Sequence, residues 1–284
     1  MSLPRKLESV YQLTSSYRNG PIPSPDTPDA FLADPTISSI ALSAPTSATG
    51  GFTQSFANLH GSTEELGYLG FYILDSYDVE ACAAKCNSID QCLGFNIYFE
   101  RDPTVGPNDA SCLNPPSTTV IKCNAYGYPV FAKTATNYGQ WRNQFNLVIA
   151  GSNGYSKTPL PPSPPGFTNA TTYTGAISAG PGDIKYITSE FYTGPFDVCV
   201  CAAACQAVTK NDHDNHPDGA TTYDACNFFN AWIAIDNDVP IGWTCAMYTG
   251  PPNRPGMDTN YGQGSLKIVE SVGYSAVYQD LGVF

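Results

Sequence analysis

The nine residues Asp78–Cys86, DVEACAAKC, return almost unchanged at Asp197–Cys205 as DVCVCAAAC. No other feature constrains the chain as much. Asp78 and Asp197 are good helix N-caps, because a carboxylate there accepts from the orphan amides of the first turn. Val79, Cys82, Cys86 and Ile89 follow at helical spacing, as do Val198, Cys201, Cys205 and Val208. Cysteines one turn apart share a helix face. Each copy therefore predicts a short helix with two sulfurs turned toward a core. Cys199, two positions before Cys201, is rotated off that face.

The likeness extends well beyond the nine residues. GFT stands at Gly51–Thr53 and again at Gly166–Thr168. CLGFNIYF from Cys92 answers CNFFNAWI from Cys226, and KCNAYGYPV from Lys122 answers TCAMYTGPP from Thr244. TNYGQ is repeated verbatim at Thr136–Gln140 and Thr259–Gln263, and SNGYS from Ser152 matches SVGYS from Ser271. A unit of about 110 residues written twice is a normal domain size. The expected organisation is an extended or disordered arm over 1–50, a module over 51–157, a Pro-rich linker over 158–165 and a second module over 166–284. PIPSPDTPDAF in the arm is proline-rich and aperiodic, and TPLPPSPPG at Thr158–Gly166 favours a semi-rigid polyproline spacer.

Ten cysteines beside three histidines, with no CxxC pair, point to disulfides and a secreted protein rather than to zinc. MSLPRKLESVYQL has no apolar run of the kind a signal peptide carries. No stretch is long enough for a transmembrane helix. Lys and Arg total 13 against 25 Asp and Glu, so there is no basic stripe for nucleic acid or an anionic membrane. GFNIYF and FFNAWIAI read as aromatic, β-branched strands, with TTVIKC and WTCAMY as further strands.

The order helix-CxxxC, then C-x-x-F, then C-x-x-Y resembles the PAN/apple module. FNIYFERDP, NPPSTTVIKC and TNYGQW are similar to secreted proteins of filamentous fungi that carry such modules. The resemblance implies an α+β fold of two modules, each a curved antiparallel sheet cradling one helix. It also implies the pairs Cys82–Cys123, Cys86–Cys92, Cys201–Cys245 and Cys205–Cys226. Cys112 and Cys199 are left over, one in each module. A Cys112–Cys199 bridge tying the modules together is the expectation, with an intermolecular bridge or two free thiols left open.

No catalytic signature is present: GxSxG, HExxH, the P-loop and GxGxxG are all missing. Glu100 and Asp102 of ERDP form a carboxylate pair best read as local salt bridging with Arg101. His60 reads as an ordinary surface or turn residue. Asp212, Asp214, His216 and Asp218 of NDHDNHPDG are the candidate metal ligands, an incomplete calcium-like set. No cofactor is implied. Asn169 of NAT is the one glycosylation sequon. The candidate ligand contacts are amides beside aromatics: Asn96 and Tyr98, Asn230 and Trp232, Tyr138 and Gln140, Tyr261 and Gln263. Aromatic faces stack on sugar rings and amides read their hydroxyls. The expected protein is a non-enzymatic secreted or cell-wall binder of carbohydrate. The alternative is an adhesive extracellular protein that contacts other proteins or copies of itself.

Overall fold

The computed structural model describes residues 19–107, 112–157, 161–180 and 182–283. It is a mixed but mostly sheet protein. The first sheet contains β1 (Ser47–Ala48), β2 (Phe52–Leu59), β3 (Tyr68–Leu74), β4 (Gly94–Pro103), β5 (Ser117–Tyr126), β6 (Gly139–Arg142) and β7 (Phe145–Ser156). Their order is β1-β2-β7-β4-β5-β3, with β6 on β7. The second sheet contains β8 (Thr171–Tyr173), β9 (Tyr186–Tyr192), β10 (Phe228–Asp236), β11 (Val239–Tyr248) and β12 (Leu266–Ser275), in the order β8-β12-β10-β11-β9. Strand pairing in both is antiparallel.

The twin DV-cysteine segments become helices stapled to these sheets by disulfides. In chain order they are the third and fourth: α3 (Val79–Asn87) and α4 (Val198–Asp214). Asp78 accepts from Ala81 N at 3.0 Å and Asp197 from Cys199 N at 2.9 Å, so both act as N-caps. From α3, Cys82 bonds to Cys123 on β5 and Cys86 to Cys92. From α4, Cys201 bonds to Cys245 on β11 and Cys205 to Cys226. Each bridge contributes about 2–4 kcal/mol by restricting the unfolded chain.

The two halves repeat a set of buried contacts. Asn96 accepts from Thr63 N at 2.9 Å and donates to Ser152 Oγ at 2.8 Å and Asn153 O at 2.9 Å. Asn230 accepts from Ile177 N at 2.9 Å and donates to Ser271 Oγ and Val272 O, both at 3.0 Å. Tyr126 donates to Thr63 O at 2.5 Å, and Tyr248 to Ile177 O at 2.7 Å. Phe95 stacks on Tyr155 as Phe229 stacks on Tyr274.

The halves also touch. Leu93 and Tyr128 of the first half pack into the core formed by Phe196, Val198, Trp243 and their neighbours. The Tyr128 hydroxyl donates to Gly194 O at 2.6 Å. Tyr274 reaches back to Pro161 O at 3.0 Å, which fixes the described part of the linker; residues 158–160 of that segment lie outside the described residues.

Two expectations are corrected. Residues 19–50 are not an extended arm; residues 1–18 lie outside the described residues. Helix α1 (Pro28–Leu32) is capped by Thr27 and α2 (Pro35–Ser43) by Asp34, each with proline at its first position. Phe31, Ile37 and Ala41 are buried, and Phe31 and Ile37 join the core of the first sheet. Asp26 ties the segment down through an ion pair to buried Arg101 at 2.7 Å and by accepting from Ser117 N at 2.8 Å. Second, Cys112 and Cys199 are both free. Cys112 lies in the connection beyond the Pro103/Ser117 end of the β4–β5 pair. Cys199 belongs to the other end, where a Cβ at Gly127 would come within 2.6 Å of Pro195. Ten residues of strand separate those ends by about 30 Å, far beyond the reach of a disulfide.

Candidate functional site

The repeated TNYGQ builds the same turn twice. Asn137 accepts from Gly139 N at 3.1 Å, and Asn260 accepts from Gly262 N at 3.2 Å. Gly139 and Gly262 have φ of 99° and 93°, which a side chain resists. Each turn is pinned to a loop between strands, β2–β3 in the first half and β8–β9 in the second: Ser62 N donates to Asn137 O and Ala176 N to Asn260 O, both at 2.9 Å. Tyr138 and Tyr261 then lie against glycine. A Cβ at Gly61 would stand 3.2 Å from Tyr138 Cδ1, and one at Gly175 would stand 2.9 Å from Tyr261 Cδ1. Both rings are otherwise open, 66% and 55% exposed, and Gln140 and Gln263 are exposed beside them. Trp141, 68% exposed, adds an aromatic in the first half that the sequence reading did not single out.

The other candidate contacts are placed differently. Asn96 and Asn230 are fully buried, and their amides are used up in the bonds described above. They position the loops to which the turns are pinned and do not face solvent. Tyr98 is buried with its hydroxyl 3.3 Å from Asn124 Oδ1, and Trp232 is half-buried. Alternation along a strand correctly puts each amide and aromatic on one face, but it does not say whether that face is covered.

That face of the first sheet is unusually polar. Tyr98, Glu100 and Asp102 on β4 oppose Lys122, Val120 and Thr118 on β5. Lys122 Nζ pairs with Glu100 and lies 3.7 Å from Asp102 Oδ2. Burial and the neighbouring Glu100 charge raise the Asp102 pKa, while Lys122 and Arg142 oppose the rise. Burial works against the Lys122 charge, but Glu100 and Asp102 outweigh it and hold the ammonium protonated. Phe71 lies under the Lys122 ammonium, 5.7 Å away, and Phe71 and Tyr68 are half exposed along the β3 edge. Behind them burial pushes the Glu65 carboxyl up to about 9. A side-chain hydrogen bond with Thr134 opposes the rise, and Thr134 Oγ1 also donates to Phe131 O at 2.9 Å. Thr63 Oγ1 and Thr118 Oγ1 are buried without a hydrogen-bond partner. Glu100 and Asp102 share the Lys122 cation.

Asp212, Asp214, His216 and Asp218, the candidate metal ligands, form no recognisable ion cage among the described residues. Asp212 and Asp214 fall in the last turn of α4, where Asp214 pairs with Lys210 and His213. Positions two apart on a helix diverge by about 200°. Among the described residues no group of three or more His, Cys, Asp or Glu is placed to hold a metal ion. Asn169 is exposed, as a glycosylated asparagine must be. A shallow groove of about 660 Å³ runs beside Gln91, Phe191, Tyr192, Pro195 and Val200 where the halves meet.

No protein-family model, curated protein or solved structure matches the chain. Four disulfides, and no helix among the described residues long and apolar enough to cross a membrane, are compatible with an extracellular protein.

Proposed function

We propose that this chain is a secreted, non-enzymatic carbohydrate-binding protein made of two PAN/apple-like modules, acting at a cell wall or on extracellular polysaccharide. One observation carries the reading: the same Tyr-Gly-Gln turn leaves an open aromatic ring and an amide on the surface of both halves. A tyrosine resting on glycine backbone keeps one ring face for a sugar, and the glutamine two residues on has a donor and an acceptor for its hydroxyls. Two such sites on one chain favour a repetitive polymer, because the second contact forms at high effective concentration. A glycan array spanning β-glucan, chitin, cellulose and mannan fragments tests this. Retention on at least one polysaccharide class is expected, and no retention on any of them contradicts the proposal.

The C-terminal segment supports an adhesive alternative. Val277, Tyr278, Leu281 and Val283 are exposed, while Asp280 fixes the segment by accepting from Tyr223 OH at 2.7 Å. A strip of this kind suits contact with another protein or another copy. Light scattering decides: a monomer across the micromolar range removes self-association, and a concentration-dependent dimer supports it.

A further inference from the structure

The two halves meet at a seam with a groove along it. Gly194 O accepts from the Tyr128 hydroxyl at 2.6 Å and from Trp243 Nε1 at 3.1 Å, so both halves clamp the loop after β9. Tyr192 stacks on buried Trp243 with ring centroids 4.5 Å apart. Beside this clamp lies the groove of about 660 Å³, lined by Gln91 from the first half and by Phe191, Tyr192, Thr193, Asp197 and Val200 from the second. Ligand clefts typically span about 300–1,000 Å³. The second half departs from the first at this place. Counted along the ladders from Asn96 and Asn230, Phe191 corresponds to Ile73 and Gly242 to Val120. The first half fills that second position with buried Val120. Gly242 instead has φ of 148°, and a Cβ there would come within 2.3 Å of Phe191 Cζ. The glycine makes room for the larger ring, which stays 54% exposed at the groove.

We propose that this groove binds an internal stretch of a neutral, linear oligosaccharide, as a subsite separate from the Tyr-Gly-Gln turns. Such a subsite rests on the carbohydrate reading and adds a contact that only the two halves together provide. Phe191 and Tyr192 supply the apolar ring surface on which sugar C–H faces stack. The Gln91 amide and the Thr193 hydroxyl have no hydrogen-bond partner among the described residues. Both groups meet alcohols as donor and acceptor. No lysine or arginine lines the groove, so nothing there matches a phosphate or a sulfate. Asp197, its one charged residue, already accepts from Cys199 N as the helix cap. The Gly194 carbonyl, which an extended peptide would use, is taken by Tyr128 and Trp243. The groove is shallow and open, which suits the middle of a chain rather than its end.

Saturation-transfer NMR on the full chain carrying Tyr138→Ala and Tyr261→Ala tests the groove with the surface rings removed. One shallow subsite alone holds a chain too weakly for retention on a polymer, so NMR reads it. The probes are β-glucan, chitin, cellulose and mannan oligosaccharides of about four to six units, a size suited to a cleft of this volume. At least one probe should give a signal. That signal should be lost with Val200→Trp, which fills the groove from the exposed side of α4. It should weaken about tenfold with Phe191→Ala or Gln91→Ala, equivalent to about 1.4 kcal/mol. The melting temperature should stay level for Val200→Trp and Gln91→Ala, whose side chains reach solvent, so these two decide the matter if Phe191→Ala fails to fold. A signal indifferent to all three changes overturns the groove and leaves the carbohydrate reading standing. So does the lack of any signal while the native chain is retained on a polysaccharide. A native chain retained on no polysaccharide, with no oligosaccharide signal, contradicts both.

Discussion

Glu65 gives the clearest consequence at the scale of one residue. Its folded pKa lies near 9 against an ordinary 4.5, because burial penalises the carboxylate. A carboxyl raised in this way favours folding fully below about pH 4.5, and that contribution is lost as pH climbs through about 9. Glu270 acts in the same direction, raised by burial to about 7. Glu65→Gln should leave the melting temperature at pH 4 nearly unchanged and raise it increasingly toward pH 9. A wild type and variant that stay parallel across that range would show that Glu65 is solvated. Asn96 makes the opposite point. Asn96→Ala leaves Thr63 N, Ser152 Oγ and Asn153 O without their bonds and should cost about 2–4 kcal/mol in urea unfolding. Asn230→Ala should match it, because the second half repeats the arrangement. The sequence marks both asparagines through their repetition. It does not show that they are buried, because strand alternation assigns a side to each residue but is silent on what lies over that side.

Among the elements, the layer formed by α1 and α2 was the least legible. Its helices are short, and proline and serine hide their periodicity, although Thr27-Pro28 and Asp34-Pro35 are sound start signals. What holds the layer is tertiary: Phe31 and Ile37 enter the first core, and Arg101 clamps Asp26. Phe31→Ala should destabilise by about 3–5 kcal/mol in denaturant unfolding. A loss under about 1 kcal/mol would mean that the segment only rests on the sheet. The α3 and α4 elements were legible down to their caps, because an N-cap aspartate and cysteines at helical spacing are local signals. The polar face was half legible. Glu100 and Asp102 stand out in ERDP, whereas Lys122 joins them only through strand pairing. Cys199 could be read as turned off the core face, but its separation from Cys112 is set by the length of β4 and β5, which parity among cysteines ignores.

Over the whole molecule, the halves are coupled by packing. Tyr128 and Leu93 extend the first half into the second core, so the proline segment is not the only connection. Tyr128→Ala should loosen the relative orientation of the halves in small-angle scattering while all four disulfides persist. Cys199→Ser should leave the profile unchanged, since Cys199 bonds to no other cysteine. Rigid coupling matters for the proposed function, because two turns held in fixed geometry either match the repeat of a polymer or miss it. The most direct measurement is a depletion isotherm on whichever polysaccharide retains the native chain, compared with Tyr138→Ala, Tyr261→Ala and the double variant. The two-site account predicts that each single change weakens binding about tenfold or more and that the double change abolishes measurable retention. Undiminished retention by the double variant would contradict it.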